Sequence, residues 1–134
     1  MRIDQALMAY LKAQAGLTAL VGTRIHFIRV PQGTAMPYVV LIDVSNVIPA
    51  DLKGVLDIEQ PNKQFSAYAS TKEGATAVAD QLRSALDDFS GTLSGLKVQH
   101  IRRLTDTMTD YLGEDGTTPA HIAVLEYEIT HVKE

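Results

Sequence analysis

Histidines are the residues of this chain best suited to proton transfer or metal binding, and there are four: His26, His100, His121 and His131. No two are spaced four apart, as on one face of a helix, and the H-E-x-x-H pattern is missing. His100 and His131 could meet across paired strands and hold a metal, but histidines in sheets are more often surface or hydrogen-bonded residues. The chain has no cysteine, which excludes disulfides, thiolate nucleophiles and cysteine-ligated zinc. The sequence therefore predicts no metal site.

Hydroxyl and carboxylate residues form no recognisable catalytic motif. There is no G-x-S-x-G turn to expose a serine nucleophile, and Gly91 and Gly95 lack the lysine of a phosphate-binding loop. The segment DTMTDYLGEDG at 106–116 lacks the alternating acids and closing glutamate of a calcium loop. Glu126 and Glu128 could act as paired carboxylates, but two residues apart on a strand they are more simply a solvated face. We therefore expect no enzyme activity and no cofactor.

The charge distribution argues against a protein that binds nucleic acid over a basic surface. The net charge is −4, and residues 106–134 alone carry seven acids and one lysine, which leaves 1–105 at +2. Arg102 and Arg103, with Lys97 and His100 nearby, could touch a phosphate backbone, but no aromatic residues are interleaved with them. The chain has no apolar run near the roughly 20 residues of a membrane span and no signal peptide at its start, so we expect no membrane association.

Hydrophobic periodicity predicts the elements that position these residues. We expect a helix over 3–15 ended by Gly16, a short turn over 17–21, strands over 25–30, 38–42, 64–69, 96–104 and 121–132, and a long helix after 69. Ser70 and Glu73 fit a capping box at the start of that helix. A bulge near Gln99 would bring Val98 and Ile101 onto one face of their strand.

Prolines and glycines interrupt the predicted strands. Pro31 and Pro37 enclose the connection between the first two strands, since proline cannot donate to a ladder. Pro49, Gly54 and Pro61 break the pattern between Ser45 and Gln64. That segment is either a long hairpin that extends the flanking strands or a surface for a partner.

The element order α-β-β-β-α-β-β predicts an α+β fold. We expect an antiparallel sheet with an N-terminal helix and one long central helix packed on one face. At 134 residues the chain fits a single domain, 1–134.

Two stretches carry a family resemblance: LTALVGTRIHFIRVPQGTAMPYVVLIDVS at 17–45 and QFSAYASTKEGATAVADQLRSAL at 64–86. Their features are a Leu-x-x-Leu-Val-Gly turn (Leu17, Leu20, Val21, Gly22), an Arg-Ile strand start (Arg24, Ile25), a Pro-Gln-Gly loop (Pro31 to Gly33), a Pro-Tyr-Val-Val strand (Pro37 to Val40) and a Tyr-Ala strand end (Tyr68, Ala69). Together with the final LEYEITH strand, the order and spacing of these features resemble the tail completion proteins of long-tailed bacteriophages, the tail terminator and head-to-tail joining group.

The resemblance implies a structural virion protein assembled in the bacterial host cytoplasm. Such a protein is a subunit of a homo-oligomeric ring, commonly of six copies, at the head-proximal end of the tail. It stops polymerisation of the tail tube protein and presents a surface to the head connector, while DNA passes through the lumen without specific binding. A free phage, a prophage and a tail-derived particle are equally compatible with the sequence.

Two surfaces follow from the resemblance and the charge pattern. The candidate interaction surface comprises the apolar residues of the 46–63 loop and the acids of the turn between the last two strands: Val47, Ile48, Leu52, Val55, Leu56, Asp110, Glu114 and Asp115. Glu126 and Glu128 are candidate channel-lining residues, because like charge keeps DNA from adsorbing.

Two other functions remain open on the sequence alone. One is a head-side completion or neck protein of the same particle, which would bind the connector instead of the tube. The other is a small ligand-binding regulatory domain, which would need a concave pocket with convergent polar groups.

Overall fold

The computed structural model describes residues 2–31, 33–47, 50–51, 54–55, 58–112 and 119–132, with the backbone alone at 2, 46–47, 50–51, 54–55, 111–112 and 119. The helices are α1 (Arg2–Lys12), α2 (Ala15–Val21) and α3 (Lys72–Leu86). The strands are β1 (Ile25–Phe27), β2 (Tyr38–Val47), β3 (Ala50–Asp51), β4 (Gly54–Val55), β5 (Ile58–Ala69), β6 (Gly91–Leu93), β7 (Leu96–Leu112) and β8 (Pro119–Val132).

Six of these strands form one sheet, in the order β1-β2-β5-β8-β7-β6, while β3 and β4 pair with each other. β2, β5, β8, β7 and β6 pair antiparallel. β1 instead pairs with β2 in parallel, with Ile25 opposite Val39. The prediction of an antiparallel sheet is therefore wrong at this one pair, because the 28–37 connection carries the chain back along the sheet before β2 begins.

One face of the sheet packs on the helices and forms the hydrophobic core. Alternate side chains of β5 and β8 are buried there in a single cluster with apolar residues of all three helices. The contributing residues include Leu7 and Leu11 of α1, Leu17 and Val21 of α2, Val78 and Leu82 of α3, Phe65 and Ala67 of β5, and Leu125, Tyr127 and Ile129 of β8. Burial of each large apolar side chain stabilises the fold by roughly 1.5–3 kcal/mol.

Two helix boundaries differ from the predicted ones. α1 ends at Lys12, and Gly16 lies inside α2, where a Cβ would come within 2.2 Å of the Gln81 Oε1 atom of α3. Gly16 therefore lies within α2 against the end of the Gln81 side chain and does not end a helix. The N-cap of α3 is Thr71, not Ser70, and its hydroxyl accepts a hydrogen bond from the Gly74 amide at 3.0 Å. With glycine at the third helical position, the predicted capping box does not form.

The strands are longer than predicted, except the first. β1 ends at Phe27, whereas β2 and β5 extend into the 45–64 segment as a hairpin. Pro61 lies within β5 opposite Asn46, and the pairing of β5 with β8 is interrupted at residues 60 and 61. A proline is tolerated at this position because the β5–β8 ladder is interrupted there, so the missing amide hydrogen is not needed for pairing. β7 continues to Leu112 through a segment predicted to be a turn. The register of β7 against β8 shifts between Val98 and His100, where the bulge was predicted.

Candidate interaction surface

The face of the sheet that points away from the core cluster is built by the strand period of two. We call it the second face. Its side chains are Tyr38, Val40 and Ile42 of β2, Asn62, Gln64, Ser66 and Tyr68 of β5, and Ile122, Val124, Glu126 and Glu128 of β8. None of them belongs to the core cluster, and most are half-buried.

One half of the second face is apolar. Tyr38 and Tyr68 lie opposite each other on β2 and β5, and their rings stack with centroids 4.8 Å apart and planes 17° apart. In the next row Val40 and Ser66 are 6% and 5% exposed, with Val124 beside Ser66 on β8. This half is therefore a continuous hydrophobic surface across three strands.

The other half of the second face is polar and carries the predicted channel-lining residues. Glu126 lies between Gln64 and Thr105 of the neighbouring strands. Glu128 lies opposite Arg102, whose Nη2 is 3.3 Å from the Glu128 Oε1 atom. Since the intervening Tyr127 is fully buried, the predicted separation of β8 into a buried face and an acidic face is confirmed. The charge of Glu128 is partly offset by Arg102, which lessens the acidity of this half.

Of the residues predicted for the interaction surface, the structure describes Val47, Val55 and Asp110. Val47 ends β2 opposite Gln60, and Val55 lies in β4 opposite Ala50. Ile48, Leu52 and Leu56 lie outside the described residues, as do Glu114 and Asp115. The described residues of this segment belong to the β2–β5 hairpin and to β3 and β4. Contact of its apolar residues with a partner stays a prediction.

Asp110 is the acid of this surface whose side chain is described. It is exposed on β7, with its Oδ1 atom 2.6 Å from the His121 Nδ1 atom of β8. A hydrogen bond between neighbouring strands thus occupies this carboxylate.

A cluster of charged side chains, which the sequence did not reveal, connects α3 with β7 and β8. Arg83 contacts Asp106 through its Nη2 atom at 2.6 Å, and Arg103 lies 3.7 Å from Asp87. The buried hydroxyl of Tyr127 donates to the Asp87 Oδ1 atom at 2.6 Å. Burial and this hydrogen bond raise the pKa of Tyr127. A tyrosine that holds its proton suits a structural hydrogen bond better than proton abstraction.

Lys63 is a second charged group that sequence reasoning missed. It lies on the core face of β5, is 2% exposed, and its Nζ atom is 2.7 Å from the Asp4 Oδ1 atom and also donates to Asp43. Burial lowers the pKa of Lys63, but hydrogen bonds to Asp4 and Asp43 outweigh burial and raise it overall. The available signal was the alternation of 63, 65 and 67, which assigns Lys63 to the buried side.

The histidines are not brought together as a metal site. His100 lies opposite Thr130, while the buried His131 lies opposite Val98 and its Nδ1 atom is 2.7 Å from the Val132 carbonyl oxygen. Within the described ranges, no three His, Asp or Glu side chains are grouped to hold a metal ion.

The described part of the chain includes a shallow depression along α3, between Lys72 and Asp80. Another lies where α1 meets the end of β6 and Ser94, beside Tyr10. The Tyr10 hydroxyl donates to the Ala85 carbonyl oxygen at 2.6 Å and is therefore engaged in packing. No described helix is both long and apolar enough to cross a membrane.

The chain is similar in sequence and fold to known proteins. The family model "Tail completion protein gp17" matches residues 5–129. A chain of the solved structure "Virion of native gene transfer agent (GTA) particle" superposes with a TM-score of 0.69 at 22% identity, covering 96% of this chain and 97% of that one. A second solved chain, whose name states no role, gives a TM-score of 0.56 at 14% identity, with 94% of each chain covered. No curated protein matches the chain. At these identities the two solved chains share the fold.

Proposed function

Because the chain belongs to the tail completion protein gp17 family, and so has a structural role in virion assembly, we propose that it closes the head-proximal end of a phage-like tail tube. In this proposal several copies form a ring that stops growth of the tube and joins it to the head connector. The observation that carries the proposal is the family match over 5–129, which includes both faces of the sheet and nearly every described element.

The surfaces of the described chain support this role. The half-buried side chains of Tyr38, Tyr68 and Val124 on the second face and the β2–β5 hairpin offer contact area for other virion proteins, because apolar surface left partly accessible outside the core is often used for interaction. The role needs no catalytic group, and the charged clusters around Lys63 and Tyr127 are explained by packing.

Addition of the purified chain to growing tail tubes tests the proposal. We expect tubes to stop at a defined length and to carry a density at one end in electron micrographs, with the chain recovered on tubes after sedimentation. Binding to isolated head connectors but not to tubes would instead assign the chain to the head side of the joint. Binding to neither would overturn the proposed function.

We further propose that Glu126 and Glu128 line the channel for DNA. Their replacement by lysine should leave particle assembly intact and slow DNA passage, because a cationic wall attracts phosphate groups. The measurement is DNA transfer per assembled particle, with Glu126→Gln as the neutral variant and Glu73→Lys, in the exposed first turn of α3, as the matched charge reversal elsewhere. Unchanged transfer in the double lysine variant would contradict the channel assignment.

A further inference from the structure

Among the described residues, the outer edge of β7 has no strand partner over most of its length. β6 pairs with β7 only from Leu96 to Val98, and the backbone at Asp88 and Phe89 hydrogen-bonds Ile101. Between Arg103 and Leu112, β8 is the one strand paired with β7 in the described part of the chain. Every second residue of such an edge directs its N–H and C=O away from the sheet, where another strand can bind them.

Folded proteins usually protect long edges with lysine, proline or unpaired charge. The segment Thr105–Asp110 reads TDTMTD, and all six of its side chains are exposed. Its two acids are already engaged, Asp106 with Arg83 at 2.6 Å and Asp110 with His121 at 2.6 Å. The register shift at Arg103 and Thr105 marks the start of this edge. Beyond it, Thr105–Asp110 contains no lysine or proline, and its threonines favour a strand.

At the opposite edge of the sheet, the described residues likewise leave part of β2 without a partner on its outer side. β1 pairs with β2 only as far as Leu41, while β2 runs on to Val47. Exposed large apolar side chains lie at both edges: Ile28 (72% exposed) and Val44 (47%) beside β1 and β2, and Met108 (37%) on β7.

Ile28 is held in a conformation that its side chain disfavours. Its φ is +65°, and the Arg29 amide donates to the Phe27 carbonyl oxygen at 2.6 Å across it. A β-branched residue at positive φ is a genuine outlier, and such strain persists mainly where function or packing requires it. The Ile28 amide donates to the Leu41 carbonyl oxygen at 2.8 Å, so backbone hydrogen bonds hold this geometry. The side chain itself is 72% exposed, so its packing within the chain contributes little to offset the strain.

Strand direction makes the two edges compatible. β7 runs antiparallel to β8, β8 to β5, and β5 to β2, so β7 runs antiparallel to β2 and to its parallel neighbour β1. A second copy placed beside the first in the same orientation would bring β7 antiparallel to β1 and β2. The row His26, Val40, Ser66, Val124 and Thr107 would then continue from one copy into the next.

We infer that the β7 edge of one copy adds to the β1–β2 edge of the next, so that one sheet continues from subunit to subunit. The contact uses two different surfaces, so repetition leads to a ring if the rotation closes. This inference rests on the proposed function for its ring, and it names the surface that builds it. Edge pairing also removes Ile28, Val44 and Met108 from water.

Cysteine crosslinking tests the pairing. Because the natural chain has no cysteine, every disulfide formed involves the introduced residues. His26→Cys is combined in one chain with Thr105→Cys, Thr107→Cys or Thr109→Cys, which sample three registers on the second face. Mild oxidation in the assembled state should convert one of these double variants into a ladder of covalent dimers, trimers and larger species. Mixing the two corresponding single variants should give covalent dimers only.

Three outcomes would overturn the inference. One is the absence of a ladder in all three double variants when the wild-type chain is oligomeric by mass. Another is a Thr107→Cys single variant that dimerises fully by itself, which would show that two β7 edges pair with each other. A wild-type chain that stays monomeric both alone and on tail tubes also overturns it. The control is the double variant Thr76→Cys with His26→Cys, in which one introduced cysteine lies on α3 away from the β7 edge. It should give no ladder.

A matched set of substitutions separates association from folding. Ile28→Gly suits the positive φ, and Thr107→Lys adds the charge that protects edges, so both should weaken self-association by about tenfold or more without lowering the unfolding temperature. Thr76→Lys on α3 should change neither. If the variants still assemble normally, the edges are not the interface and the inference fails. The proposed function would still stand in that case if the wild type arrests tube growth.

Discussion

At the scale of single residues, Lys63 is the most unusual group of this protein. It lies on the core face of β5 and joins α1, through Asp4, to β2, through Asp43. An ammonium group that is 2% exposed is tolerated because two carboxylates compensate for its lost hydration. This small ionic cluster therefore connects an N-terminal helix to the sheet inside an otherwise apolar layer.

We predict that Lys63→Met lowers the free energy of unfolding by roughly 2–4 kcal/mol, because it leaves the Asp4 carboxylate without its buried cation. The double variant Lys63→Met with Asp4→Leu should recover a large part of that loss, since the site then becomes apolar. Urea denaturation at neutral pH measures both. Equal stability of wild type and the single variant would show that the ion pair contributes nothing.

Tyr127 leads to a prediction about alkaline pH. Its folded-state pKa is raised by burial and by the hydrogen bond to Asp87, so the folded chain holds the proton more tightly than the unfolded chain. Its contribution to stability is complete below about pH 10 and is lost as the pH rises further. Lys63, whose pKa is also raised, acts in the same direction.

We expect the wild type to lose stability above about pH 10, and Tyr127→Phe to show a shallower loss although it is less stable at neutral pH. Burial also raises the pKa of Tyr10. Ultraviolet titration should therefore show Tyr127 and Tyr10 as the late-ionising members of the five tyrosines, and the tyrosinate signal that accompanies unfolding should fall in Tyr127→Phe. A parallel decline of both proteins would contradict the assignment.

At the scale of elements, the start of α3 depends on one hydroxyl. Thr71 has extended backbone angles, and its side chain accepts from the Gly74 amide. We predict that Thr71→Ala lowers the free energy of unfolding by about 1 kcal/mol, while Ser70→Ala next to it changes little. Thermal or urea denaturation of the two variants decides between them, and a larger effect at Ser70 would restore the capping box predicted from the sequence.

The sheet illustrates why some elements were predictable and others were not. Buried segments such as Tyr38–Ile42 and Gln64–Ala69 reveal themselves because their apolar residues follow a strand pattern. The segment from Thr105 to Leu112 has no such pattern, since its side chains are exposed through Asp110, and it was therefore predicted as a turn. Its strand is held by pairing with β8, which is information that a local pattern does not contain.

At the scale of the whole molecule, the fold separates stability from interaction. The helices and one face of the sheet form the core, which leaves the second face, the sheet edges and the β2–β5 hairpin outside it. In the proposed ring, the sheet edges contact neighbouring copies. This separation makes it possible to change contacts without unfolding the chain.

We predict that replacing Val47, Ile48, Leu52 and Val55 with polar residues weakens oligomer or tail binding and spares the fold. The expected reason is that these side chains meet a partner and not the core of their own chain. Sedimentation with tail tubes and thermal denaturation measure the two effects. A loss of roughly 2–5 kcal/mol per substitution would show that they are buried within one chain.

The sequence by itself determined the class of fold, the main helices and strands, the bulge at Gln99 and the alternation that directs Glu126 and Glu128 away from the core. These features are local, because each depends on the period of apolar residues or on the chemistry of a few neighbours. Tertiary structure alone decided the parallel pairing of β1, the burial of Lys63 between Asp4 and Asp43, the Tyr127–Asp87 hydrogen bond and the open edges of the sheet. Those features join residues far apart in the chain, and their energies depend on which groups the completed fold brings into contact.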